Sequence, residues 1–403
     1  MVTGIHKSVF GLFVVLVLSG SARAQSYYSQ TDAGLVNYFI SGQSAGMGGA
    51  GIAIADKLTM NFVNPAALIN LPVSFLSGNF RHEATNVHAE SIDGSISDTN
   101  IAGVQFHVPL RKERISLSLG VYPTTIIEYF FEEEGSAGSE PFVSTVEGDG
   151  GINTAFLSFA IRPFSRLSLG ISTLYHFGKL RDRWQVTFNE GSGLVNTQQE
   201  VADGFTTGNI RLGLQYRIRK GWHIGAVYTP SVTLNITRSV TLRNISKLED
   251  FEKRELELPE AFGVGTAFFL SRKLLIAADY YVERWSDVEA SSYVNDSQRI
   301  GVGFEYSGRG TGLASSYWSK MAFRAGFYYR NLGIEAPVGV SVTEVFGTIG
   351  VGFPMKWSAS RIDLSLEFGQ RGSLPDNPFK ENVIRFSGSI TVGERWFYRK
   401  PRR

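Results

Sequence analysis

Segments of about ten residues in which apolar and polar side chains alternate recur through most of this chain, joined by very short turns or separated by longer polar stretches. The last two show the pattern most plainly. Ile362, Leu364, Leu366 and Phe368 alternate with Asp363, Ser365 and Glu367, and Ile384, Phe386, Ile390 and Val392 alternate with Arg385, Ser387, Ser389 and Thr391. Successive side chains on a strand point to opposite faces, so each segment needs an apolar medium on one side and a polar one on the other. Two folds meet that demand: a soluble all-β protein with a buried core, and a transmembrane antiparallel β-barrel with lipid outside and a wet lumen.

Composition does not separate them. A hydrophobic fraction of 43% looks soluble, but in a transmembrane barrel only every second strand residue faces lipid. The amino terminus narrows the compartment. His6 and Lys7 precede the apolar stretch 9–18, followed by Ser19-Gly20-Ser21 and Ala22-Arg23-Ala24, which is the form of a secretory signal peptide cleaved after Ala24. No later run reaches the roughly 18 apolar residues of a membrane-spanning helix. The absence of cysteine excludes disulfides and thiolate metal sites, and a net charge of +2 makes no case for nucleic acid. Metalloprotease, nucleophile-elbow and P-loop motifs are missing, so no catalytic residue, metal or cofactor is expected. His107 and His223, on polar faces, are lone histidines of the kind that usually serve structure.

About fourteen strands are expected, an even number as bacterial barrels usually require. They fall near 73–84, 100–109, 114–130, 142–162, 166–187, 205–218, 222–240, 257–270, 273–287, 297–307, 319–330, 343–353, 360–370 and 381–397. Tight connections at 110–113, 163–165, 219–221, 271–272 and 354–359 alternate with long ones at 131–141, 189–204, 240–256 and 331–342. Outer-membrane barrels sort their connections in this way, with short periplasmic turns and longer external loops; the stretch 307–318 departs from the rule. Trp222, Trp318, Trp357 and Trp396 fall at expected periplasmic strand ends, and Trp184 and Trp285 near external ends, where amphipathic rings prefer the membrane interface.

Residues 25–72 have a different character. Gly46, Gly48 and Gly49 lie in the small-residue run Ser44-Ala45-Gly46-Met47-Gly48-Gly49-Ala50-Gly51, and Asn64-Pro65-Ala66 marks a turn. Such a segment is able to thread a confined space, and a barrel of about fourteen strands is too wide for wall side chains alone to fill.

These two elements, with Gly225-Ala226-Val227-Tyr228-Thr229-Pro230, Leu258-Pro259-Glu260-Ala261-Phe262-Gly263, Asp279-Tyr280-Tyr281, Phe323-Arg324-Ala325-Gly326-Phe327-Tyr328-Tyr329 and Gly350-Val351-Gly352-Phe353, resemble in order the FadL-type outer-membrane long-chain fatty-acid and hydrocarbon transport proteins. The resemblance implies a barrel over 73–398 behind a signal peptide at 1–24, with residues 25–72 as an N-terminal hatch inside the lumen and 399–403 as a basic tail. It implies a Gram-negative outer membrane, contact with its lipid and lipopolysaccharide, and passive uptake of a hydrophobic small molecule, with release through the barrel wall. Gating would rest on Gly46, Gly48, Gly49, Asn64, Pro65 and Ala66. Two features depart from that family: the chain runs past Trp396-Phe397-Tyr398 into Arg399-Lys400-Pro401-Arg402-Arg403, and no long amphipathic helix is evident in the external loops.

The alternation places Arg211, Arg217, Glu305, Arg324, Asp363, Glu367 and Arg385 on the lumen face. Charges of both signs there read first as a wall network paired with the hatch, and secondly as a carboxylate-binding site in which an arginine holds a headgroup. The alternative to transport is a barrel that acts as a platform for a periplasmic or secretion partner, as in type IX secretion. A ligand-sized apolar tunnel would mark the first function, and a filled lumen the second.

Overall fold

A computed structural model describes residues 26–396 apart from 32, 39–40, 91–92, 244–249, 289–292, 309–315, 356–358 and 375, with the backbone alone at 250–254. The expected signal peptide, Trp357 and the basic tail lie outside the described residues.

The alternating segments form one antiparallel wall. After a two-residue strand in the N-terminal segment, β1 (Leu35–Val36), come β2 (Ser74–His88), β3 (Asp93–Arg111), β4 (Ile115–Pro123), β5 (Thr125–Ala137), β6 (Glu140–Phe164), β7 (Leu167–Phe188), β8 (Thr197–Arg219), β9 (Trp222–Thr229) and β10 (Val232–Arg243). They continue with β11 (Asp250–Leu258), β12 (Ala261–Phe269), β13 (Leu274–Glu283), β14 (Ser297–Ser307), β15 (Ala322–Glu335), β16 (Ser341–Pro354), β17 (Arg361–Arg371) and β18 (Lys380–Glu394). Three barrel strands are interrupted: β4 and β5 meet at Thr124, β9 and β10 at Pro230, and β11 and β12 at Pro259. Proline donates no ladder hydrogen bond, which accounts for two of the breaks. Counting each broken pair once gives fourteen strands, and β18 closes on β2 from Lys380↔His88 to Glu394↔Ser74.

The wall is inverted relative to a soluble protein. Leu157, Ile171, Leu212, Ile300, Phe304, Phe323, Ile349, Phe368 and Ile384 are exposed on the outside, while Ser77, Asn79, Arg81, Glu83, Gln105, Ser158 and Ser172 are buried on the inside. Lipid is the only solvent that suits that exterior.

The structure corrects part of the loop reading. Residues 131–137 and 140–141, expected as loop, continue β5 and β6 and are joined by a turn at 138–139; 197–204 belong to β8, and 331–335 to β15. Water bathes both faces of a strand that stands above the membrane, so no alternation marks it in the sequence. Trp285 is also corrected. It is 2% exposed and stacks on Tyr293 with centroids 4.1 Å apart, inside an apolar cluster instead of at the lipid interface. Among the described tryptophans, Trp184, Trp318 and Trp396 are exposed.

The seam between β3 and the β4–β5 strand is uneven. β3 pairs with β4 from Val104↔Val121 to Arg111↔Ile115, but its outer half pairs with β2 alone. β5 pairs with β6, and at Ile126 and Thr125 with Leu35 and Val36 of β1. The N-terminal segment thus supplies a short strand where the wall's own ladder stops.

Candidate functional site in the barrel lumen

The N-terminal segment enters the wall at its periplasmic end and lies against the lumen face over its described length. Ser26 Oγ donates to Glu381 near the outer end of β18, and Asn70 Oδ1 accepts from Arg162 Nη2 at 2.5 Å near the other end of β6. Between these anchors the contact is backbone against backbone. An added Cβ on Gly303, Gly326 or Gly225 of the wall would overlap Met47, Gly48 or Ile52, and one on Gly46 of the plug would overlap Gly350. Only residues without Cβ permit that approach. Gly48 and Gly49 adopt φ of +61° and +74°, in the left-handed region that favours glycine.

The expected turn is built as its residues suggest. Asn64 Oδ1 accepts from Ala66 N at 3.0 Å and caps the 3-10 turn Pro65–Asn70, with Pro65 at its first position. Its Nδ2 donates to Ile52 O at 2.8 Å and to Leu214 O at 3.0 Å, tying the segment to itself and to β8. Asp279 on β13 accepts from Gly51 N at 2.5 Å and Ile52 N at 2.8 Å.

Five of the seven lumen positions expected from the alternation come together in two buried ionic clusters. In the inner one Arg324 bonds Glu305 at 2.7 Å and Asp363 at 2.8 Å, and Arg361 bonds Asp363 at 2.8 Å and Asp56 of the N-terminal segment at 3.0 Å. Gln43 of that segment donates to Glu305 at 2.8 Å. In the outer cluster Arg371 reaches Glu344 at 2.7 Å and Glu381 at 2.6 Å, while Arg385 reaches Glu83 at 2.5 Å and Glu367 at 3.8 Å. Arg330 pairs with Glu344 at 3.6 Å and donates to Val36 O at 3.1 Å. Burial, followed by the charge of Glu381, raises the Tyr28 hydroxyl of the N-terminal segment well above its ordinary pKa.

The other two positions lie elsewhere. Arg211 donates to Thr229 Oγ1 at 3.0 Å beside Phe62, and Arg217 is exposed at the periplasmic mouth, where it donates to Ser165 O at 2.7 Å. The sequence reading missed Glu83, Arg330, Glu344, Arg361, Arg371 and Glu381. Five of them lie within strands it had already placed and Arg371 one residue beyond, all on the polar phase, so following that phase to each strand end would have found them.

Among the described residues the plug leaves little space in the middle and outer lumen. Cavities beside the plug are about 70 Å³ near Phe62, Tyr122 and Tyr281, and about 30 Å³ between the outer cluster and Val36. An apolar cavity that takes up benzene is about 150 Å³. A space of about 520 Å³ lies at the periplasmic mouth, and one of about 420 Å³ runs from there up to Gln43, Glu305 and Arg361 of the inner cluster.

Fourteen antiparallel strands with an apolar exterior and a lumen occupied by the chain's own N-terminal segment define a plugged barrel of the outer-membrane type. A family model described as BamG matches residues 1–401, and the chain belongs to the BamG family. No curated protein matches its sequence. Among solved structures it is similar to a Pseudomonas aeruginosa FadL homologue, at 11% identity and a TM-score of 0.63, covering 90% of this chain and 100% of that one. It is also similar to the Ralstonia pickettii toluene transporter TbuX, at 16% identity and 0.59 over 88% and 98%, and to the Pseudomonas putida toluene transporter TodX, at 16% and 0.56 over 89% and 98%. At these identities the likeness carries the fold alone. The FadL-type resemblance therefore holds for the architecture, and the family is BamG.

Proposed function

We propose that this protein is a sealed outer-membrane barrel that serves as a docking platform for a protein partner. The observation that carries this reading is the filled middle and outer lumen: glycine-to-backbone contact along the plug, an ion pair from wall to plug at Arg361–Asp56, and cavities there smaller than one aromatic ring needs. Residues 25–72 act in this reading as a fixed plug. Gly46, Gly48, Gly49, Asn64, Pro65 and Ala66 fit it to the wall, and the lumen charges of Glu305, Arg324, Asp363, Glu367 and Arg385 hold the barrel shut.

The second reading is passive uptake of long-chain fatty acids or aromatic hydrocarbons, with the plug moving as a hatch and the solute leaving sideways into lipid. It is favoured by one specific observation: the half-paired outer part of β3 lies beside an apolar cluster of Phe62, Ala102, Tyr122, Phe156 and Leu174. Exit into lipid would spare a hydrocarbon the roughly 25 cal/mol per Å² that exposure of its apolar surface to water costs.

Uptake of radiolabelled long-chain fatty acid and of toluene separates the two, in cells that lack their own channels for these solutes and carry this barrel inserted and heat-modifiable on gels. The platform reading expects background uptake of both, and co-purification of a stoichiometric partner from native membranes. Protein-dependent flux that changes when Asn64 to Ala66 are deleted would give the lead to transport.

A further inference from the structure

At the periplasmic end of the lumen, cations far outnumber counter-charges among the described residues. The cavity of about 520 Å³ there is lined by Lys57, Arg162, Arg166, Arg217, Lys220 and Arg272. Among the described residues the one carboxylate on its wall is Glu113. Among the described residues none of the six cations is in an ion pair. Arg162 is held by uncharged groups, with Nε on Ser168 Oγ at 3.1 Å and Nη2 on Asn70 Oδ1, and Arg217 is held by the Ser165 carbonyl. These bonds orient the guanidinium groups without neutralising them, and the one opposite charge acting on Arg162 is that of Glu113. His223 also lines the cavity, and its Nδ1 is buried with no hydrogen-bond partner.

Strand phase decides what can reach this charge. Gln215 and Arg217 stand on the inner face of β8, while Leu212, Leu214 and Tyr216 point to lipid. On the neighbouring rim Phe164 and Leu270 are exposed on the outside at 70% and 61%. A headgroup anchored in the leaflet therefore has the wall between itself and the cations, whereas a soluble group rising from the periplasm meets them directly. The cavity is also far larger than one phosphate or carboxylate requires.

We propose that this mouth is a binding site for an acidic peptide segment of a periplasmic protein, whose carboxylates are held by Arg162, Arg166, Arg217, Lys220 and Arg272. The site gives the platform's partner a chemistry, and it rests on the platform reading only in assigning the ligand to another protein. Arginine forks suit carboxylates through paired N–H donors, and a converging positive field speeds encounter with an acidic chain.

The test uses the full chain in detergent micelles and fluorescein-labelled hexaglutamate, read by fluorescence anisotropy against hexaglutamine. The expected result is salt-sensitive binding of hexaglutamate alone, weakened at least tenfold in an Arg166→Glu, Lys220→Glu, Arg272→Glu variant that still migrates as a folded barrel. An Arg166→Lys, Arg272→Lys variant, which keeps the charge and loses two forks, should weaken binding by less than the charge-reversed variant does. No binding by the wild type, or equal binding by the charge-reversed variant, overturns the proposal. Inorganic phosphate that competes as well as unlabelled hexaglutamate at matched ionic strength overturns the peptide assignment, as does loss of peptide binding in phosphatidylglycerol nanodiscs. Hydrocarbon uptake by a barrel that still binds hexaglutamate would remove the platform reading and leave the site standing. A partner that co-purifies equally with the charge-reversed variant would do the reverse.

Discussion

Two regions of one lumen treat charge in opposite ways. In the middle and outer parts each guanidinium of the two clusters faces carboxylates: Arg324 and Arg361 share Glu305, Asp363 and Asp56, and Arg371 and Arg385 share Glu83, Glu344, Glu367 and Glu381. At the periplasmic mouth the cations are in no such pair. Burial explains the first arrangement, because an isolated charge out of water is costly enough to force pairing. Water permits the second, so an excess of like charge can stand there and remain available to a ligand even where, as at Arg162, the side chain also anchors the plug.

The largest expected effect comes from unpairing the buried side. Arg324 has no exposed side-chain surface and is the link between Glu305 and Asp363. Arg324→Ala should lower the stability of the barrel by about 3–5 kcal/mol, since it leaves buried carboxylates short of a partner. The readout is the urea midpoint of unfolding in micelles. Arg324→Met combined with Glu305→Gln should recover most of that loss, because a neutral pair carries little desolvation cost. A single variant as mild as a surface substitution would show that water reaches the cluster, and the contrast between the two regions would dissolve.

A smaller effect tests the fit of the plug. Gly326 faces Met47 and Gly48 so closely that any Cβ collides with backbone. Gly326→Val should cost about 1–3 kcal/mol, as overpacking does, and should make the N-terminal segment sensitive to protease while the barrel itself stays resistant. Asn64→Ala should follow at about 1–2 kcal/mol, through loss of a cap and of two hydrogen bonds to carbonyls. Unchanged protease resistance in both variants would mean that the plug is held by its ion pair and side-chain hydrogen bonds and not by its backbone contacts.

The contrast between regions also sets what the sequence reveals. A strand within the membrane has lipid on one face, so its residues must alternate. The fourteen strands, and the lumen phase of Glu305, Arg324, Asp363, Glu367 and Arg385, were legible for that reason. The outer extensions of β3, β5, β6 and β8 have water on both faces, carry no period, and read as loops. Arg371 and Glu381 escaped because they stand at strand ends, where an alternation is hardest to bound. The glycine seats on the wall escaped for another reason: a glycine has no side chain to declare a phase, and only the opposing backbone gives it a role. The mouth cluster was invisible because its cations come from three separate turns, the plug and two strand ends, brought together only by closure of the barrel.

The smallest effect is the most discriminating about the mouth. If the three cations that lie at turns have no structural task, neutralising them with Arg166→Gln, Lys220→Gln and Arg272→Gln should change stability by no more than about 0.5 kcal/mol. The sign should depend on salt. At low ionic strength the wild type bears unrelieved repulsion between like charges, so the neutralised barrel should be slightly the more stable. As salt shortens the Debye length to about 8 Å near physiological strength, the two should converge. A loss of stability at every salt concentration would mean that these side chains hold the turns in place through contacts other than charge, and would make the mouth a structural feature like the clusters above it. A small gain that fades with salt would instead identify charge retained at a cost to the fold, which is the pattern of a surface kept for binding.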